Sequence, residues 1–242
     1  MSNFKIPVNT KNPAEFFACI GLLDFATRVC GDETFGHFET LGNGDVFSLS
    51  SPDNTYTLPQ ILGLLCDTPI KGGESELQFG SYMTLNWWGK KSPLAAWSGA
   101  LRPSNFLATA QEQLRPHTNQ LLDPLNMVTL SLKGSGMITL DARMRNDALD
   151  IGFSHDKLGG KEKQPRRQYP ATLLLAFLGL QRCQPQDLSY WTWDRPIPSS
   201  LTQAATWGLL PGYQKHHLIF QVFEYVPGQS YAVVTFADHI KE

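Results

Sequence analysis

The chemistry this chain could do starts with its cations. The segment SHDKLGGKEKQPRRQ (154–168) sets Lys157, Lys161, Lys163, Arg166 and Arg167 against only Asp156 and Glu162. Gly159, Gly160 and Pro165 keep such a segment out of regular structure, so its ammonium and guanidinium groups could follow a phosphate backbone. A second group is LNWWGKK, where Trp88 precedes Lys90 and Lys91. A base stacked on an indole beside a phosphate-neutralising lysine is the chemistry that spacing offers. Arg143 and Arg145 form a third basic pair. Each group also reads as an ordinary solvated surface, with one tryptophan of the Trp87-Trp88 pair in the core.

The carboxylates offer a competing chemistry. Asp141, Asp147 and Asp150 in DARMRNDALD could gather divalent ions for phosphodiester cleavage, which needs carboxylates to hold the metals that clamp the reacting oxygens. Arg143 and Arg145 are interleaved with these acids and are expected to pair with them. His216 and His217 occupy adjacent positions of a strand-like segment and should face opposite ways, which denies one ion both imidazoles. The chain carries no GxxxxGK[ST] loop, GxGxxG turn, GxSxG elbow or HExxH helix. The expectation is a protein that is not an enzyme and needs no cofactor.

Composition narrows the partners. The chain has 242 residues and a formal net charge of -2, so nucleic-acid binding would have to come from local basic patches. Cys19, Cys30, Cys66 and Cys183 form no CxxC pair and read as reduced core thiols. No apolar run reaches the roughly 18 residues of a membrane span. A cytoplasmic protein without membrane contact or small-molecule substrate is expected.

The elements that must position these residues are organised around NPAEFFACIGLLDFATRVCG (12–31). Asn12 is a good N-cap, Pro13 suits the first turn, Glu15 complements the positive helix end and Gly31 ends the run. The helix is apolar almost all round, so it should pass through a core. YPATLLLAFLGLQRC (169–183) repeats the grammar, and Gly21 and Gly179 inside the two helices suggest close backbone packing. Strands are expected at 4–8, at 34–40 and 45–50 as a hairpin around Gly42-Asn43-Gly44, at 76–88, at 127–132 or 136–140, at 190–193, and at 215–225 and 230–236 joined at 227–229. Further helices are expected at 58–65, at 93–114 with an interruption at Arg102-Pro103, and at 201–208, with another short element at 121–128 and a loop at 71–74. The fold class is therefore α+β, with central buried helices packed on antiparallel sheets. One domain over 1–242 is expected. The alternative is two subdomains meeting near 115–135, each presenting a central helix to a shared sheet.

Taken in order, NPAEFFACIGLLDFA, LNWWGKK, PLAAWSGA, ALDIGFSHD, YPATLLLAFLGLQRC and GLLPGY resemble the small Csb-type, Cas8-like subunit of type I-G (formerly I-U) CRISPR-Cas systems. Trp97-Ser98-Gly99-Ala100 departs from the relatives, which have Trp-Ala-Gly-Gln-Gln. The resemblance implies a non-catalytic subunit of an RNA-guided antiviral effector complex. Its partners would be other Cas proteins and crRNA, target DNA or both, with base pairing reading the sequence and protein subunits holding the backbone.

Overall fold

The structure is a computed structural model that describes residues 2–42, 44–52, 56–72, 76–86, 103–117, 120, 132–133, 140–145, 167–226 and 229–240. Helix α1, Pro13–Cys30, is capped as its sequence demands: the Asn12 side chain accepts from the Ala14 N–H at 3.3 Å. Gly31 ends it with φ at 103° and donates its N–H to Thr27 O at 2.8 Å. Every residue of α1 from Pro13 to Ala26 is buried, as a helix without a polar face requires.

The principal partner of α1 is α4, Pro170–Arg182, which is itself buried from Pro170 through Leu180. The two helices cross on their glycines. A Cβ added to Gly21 would collide with the Leu175 carbonyl oxygen and approach Gly179 N to 2.8 Å. A Cβ on Gly179 would likewise collide with the Phe17 carbonyl and approach Gly21 N to 2.9 Å. Only a pair of glycines lets the backbones come this near, which meets the expectation drawn from their placement. Each helix thus takes the other as its main support.

Among the described residues, three antiparallel sheets and two two-stranded pairs accompany these helices. Strands β1 (Ser2–Val8), β2 (Phe35–Leu41) and β3 (Gly44–Ser51) form the first sheet, with β1 on one edge and Ile197–Pro198, here β10, on the other. The β2–β3 hairpin closes at Gly42, whose φ of 60° suits glycine. The second sheet follows α2, Leu58–Asp67, which opens on a reciprocal capping box between Thr57 and Gln60. It contains β4 (Ile70–Gly72), β5 (Leu77–Phe79) and β6 (Met83–Leu85). Residues 71–72 therefore belong to a strand where a loop was expected, and the single strand expected at 76–88 is divided. Gly80, at φ 59°, starts a turn that Tyr82 N–H closes on Phe79 O at 3.2 Å.

Helix α3, Pro103–Leu114, begins at the proline expected to interrupt a longer helix, and residues 93–102 lie outside the described residues. So do 121–131 and 134–139; Leu132–Lys133, β7, pairs with Arg167–Gln168, β8. The third sheet joins β9 (Ser189–Trp193), β11 (Gln214–Ile219) and β14 (Asp238–His239), and α5 spans Thr202–Thr206 between them. The strand expected at 215–225 stops at Ile219, where its partner β9 begins: Asp187 and Leu188, just before β9, have φ of 50° and 59°, and the Phe220 N–H makes a last bond to Leu188 O at 3.0 Å. Strands β12 (Val222–Val226) and β13 (Gln229–Val234) then form the expected hairpin.

Apolar residues from Ile6 to Ala237 share one core, so chain on both sides of 115–135 contributes to it. Its centre is aromatic. Phe16 stacks on Tyr190 at 4.1 Å and on Phe38 at 5.5 Å, while Trp193 meets Phe38 edge-on at 5.0 Å. Both polar aromatics are satisfied: Tyr190 Oη donates to Thr10 O at 2.8 Å and Trp193 Nε1 to Gly36 O at 2.9 Å. The class is α+β. No helix among the described residues is long and apolar enough to cross a membrane.

Candidate functional site

Polar chemistry gathers where the first turns of α1 and α4 meet. Asn12, Glu15, Asp141, Arg143, Tyr169 and Thr172 form one network, although Asn12 and Asp141 are 129 residues apart. Asn12 is its hub. Its Nδ2 donates to Glu15 Oε1 and to Asp141 Oδ1, both at 2.9 Å, and its Oδ1 accepts from the Ala142 N–H at 3.1 Å as well as capping α1. Glu15 Oε2 accepts the Asn9 N–H at 2.7 Å.

Arg143 fills the space between the acids. Its Nη2 lies 2.5 Å from Asp141 Oδ2, its Nε donates to Asp141 Oδ1 at 2.9 Å, and its Nη1 is 3.4 Å from Glu15 Oε1. The guanidinium also lies 3.5 Å from the centre of the Tyr169 ring, and Nη2 reaches Thr172 Oγ1 at 3.3 Å. Burial dominates the electrostatics here. It pushes the Glu15 carboxyl above its ordinary pKa despite the attraction of Arg143 and the bonds from Asn9 and Asn12. Burial also pulls the Arg143 guanidinium down, but the hydrogen bond and charge of Asp141, with Glu15, outweigh it and hold Arg143 above its usual value.

This arrangement positions helices and neutralises charge; it leaves no carboxylate open for a metal. The Asp141 oxygens already accept from Asn12, from the Arg143 N–H and from the Arg143 side chain. Among the described residues, no group of three or more His, Cys, Asp or Glu could hold a metal ion. The expected pairing of Asp141 with Arg143 is found. Asp147 and Asp150 lie outside the described residues.

Arg143, read as a cation for nucleic acid, is part-buried, with its guanidinium paired to Asp141 and Glu15. Arg145 closes the single turn Ala142–Arg145, and Arg167 pairs with Lys133 across β8 and β7; both are described in their backbone only. Trp88, Lys90, Lys91, Lys157, Lys161, Lys163 and Arg166 lie outside the described residues. His216 and His217 face opposite ways as expected, His217 stacking on Trp191 at 4.3 Å and His216 meeting His239 edge-on at 5.0 Å. Sequence reasoning assigned Asn12 and Glu15 to the helix start alone and gave Tyr169 and Thr172 no site role. The one available signal was that both central helices open on Pro-Ala, which would bring equivalent first turns together if they packed as a pair.

Comparison of the chain with protein-family models, curated proteins and solved structures returned no match.

Proposed function

We propose that the chain is a non-catalytic subunit of an RNA-guided type I-G CRISPR-Cas effector complex, acting in the cytoplasm in antiviral defence and binding crRNA, target DNA and other Cas proteins. The observation that carries this over a metal-dependent nuclease is the state of Asp141. The carboxylate on which that alternative depends is saturated by Arg143 and Asn12, and a metal ion would have to break a buried ion pair to reach it. The reading is also supported by the two longest segments of the family resemblance, which form the glycine-crossed helix pair and the network above it.

The test is co-expression of the tagged chain with its neighbouring gene products and a guide RNA, followed by purification at moderate salt. The chain should elute in fixed proportion to the other subunits and the RNA. Replacing Lys161, Lys163, Arg166 and Arg167 together by Ala should lower the dependence of target binding on log salt by about 2.8 for a single strand or about 3.6 for a duplex, without altering sequence preference. Elution of the chain alone, with magnesium-dependent cleavage that disappears in Asp147→Ala, would overturn the reading.

A further inference from the structure

The rim between the first and third sheets carries a second polar assembly, apart from the buried network. Side chains alternate along a strand, so Thr40 continues the row of Phe38 on β2, and Asp45 the row of Phe47 on β3, past the end of the apolar core. On the third sheet, β11 is irregular between Gln214 and His217, the stretch that carries Lys215 and His216, and His239 pairs directly with Leu218. Across the gap Lys215 Nζ donates to Thr40 Oγ1 at 2.6 Å, and the rings of His216 and His239 meet edge-on at 5.0 Å. Lys11, in the connection that enters α1, completes the group; its carbonyl accepts the Ala237 N–H at 2.7 Å, which ties it to the chain just before β14.

The rim thus gathers Lys215, His216 and His239, with Asp45 and Lys11 near enough for their charges to act on His216. Asp45 is occupied by the hydroxyls of Thr10 and Thr40. Among the described residues neither Lys11 nor Lys215 lies within ion-pair distance of a carboxylate. Asp238 sits in the opposite row, paired with Ile219. The excess of basic groups over anions, on three different segments converging on one gap, is the arrangement that recognises a tetrahedral phosphate anion: lysines as point charges and imidazoles as directional donors.

We propose that Lys11, Lys215, His216 and His239 bind a phosphate group, either in a nucleic-acid backbone or in a free phosphorylated compound, and that His216 takes up a proton as it binds. Burial, together with the charges of Lys215, His239 and Lys11 and against that of Asp45, keeps His216 below the ordinary imidazole pKa. The unliganded rim therefore holds it neutral, and an arriving phosphate reverses the local field. This inference does not rest on the effector-complex reading, since it concerns the isolated chain.

The experiment is an NMR titration of the histidine imidazoles in the intact wild-type chain, with inorganic phosphate as one probe and a short oligouridylate as the other. The His216 and His239 resonances should move with phosphate, those of His37 should not, and each one-unit rise in imidazole pKa on binding corresponds to a tenfold gain in affinity for the protonated form. Affinity should therefore increase as pH falls through the imidazole range, and Lys11→Ala with Lys215→Ala should abolish the response while leaving the melting temperature unchanged. Response to both probes assigns the site to nucleic acid; response to phosphate alone assigns it to a small phosphorylated ligand. Still imidazoles in the wild type, or an undiminished response in the double variant, overturns the proposal.

Discussion

Arg143 is the residue on which the buried network depends. Removing it leaves Glu15 and Asp141 facing each other without a counter-charge, so Arg143→Ala should cost about 3–5 kcal/mol at neutral pH, the range for stripping one partner from a buried pair. The pH dependence has a definite sign. The Glu15 carboxyl already titrates above its ordinary value, and losing Arg143 raises it further. A carboxyl that is harder to ionise in the folded chain than in the unfolded one weakens the fold while it is charged and ceases to do so once both states are protonated. Thermal melting followed from neutral pH downward should therefore show the deficit of the variant shrinking as Glu15 takes up its proton; a deficit constant with pH would mean the loss is one of packing alone. Half of this network was legible in the sequence. The alternation of acid and base at Asp141 and Arg143 announced a local pair, whereas the part played by Asn12 and Glu15 depends on a meeting of two helix starts that no local pattern encodes.

Between elements, the decisive contact is the crossing of α1 and α4. Gly21→Ala and Gly179→Ala each drive a methyl group into a backbone carbonyl, which cannot rotate aside as a side chain would, so each should cost about 3 kcal/mol or more. The two losses should not add. Once one methyl has pushed the helices apart the other finds part of its room already made, and a chemical-denaturation cycle should give a double variant milder than the sum. Strict additivity would show that the glycines act at separate contacts. The sequence announced these helices well because caps, proline starts and interior glycines are local signals. It announced the strands less well where β-favouring residues run on through a break: nothing in the composition of 76–88 or 215–225 reveals the left-handed Gly80 that divides the first, or the left-handed Asp187 and Leu188 that leave the second without its partner strand.

At the scale of the whole molecule, the α+β class was legible because caps, periodicities and hairpin turns alternate without the regular strand-helix rhythm of a parallel sheet. The meeting of the rim residues was not, since Lys11, Asp45, Lys215 and His239 are brought together only by the packing of two sheets. The stacking of Phe16 between Phe38 and Tyr190, sealed by the bond from Tyr190 to Thr10, has a further consequence during synthesis. The ring that completes the pocket of Phe16 is made 180 residues after the carbonyl it must find, and at 5–20 residues per second that is a wait of about 9–36 s. Throughout it, the buried helix α1 is outside the ribosome without its partners, a natural target for chaperones that hold exposed apolar segments. Nascent chains stalled before residue 170 should be cut readily by protease within α1, and those stalled late enough for residues through 240 to clear the exit tunnel should resist. Protection that arises before α4 has emerged would mean that α1 finds shelter in the hairpin of β2 and β3 alone.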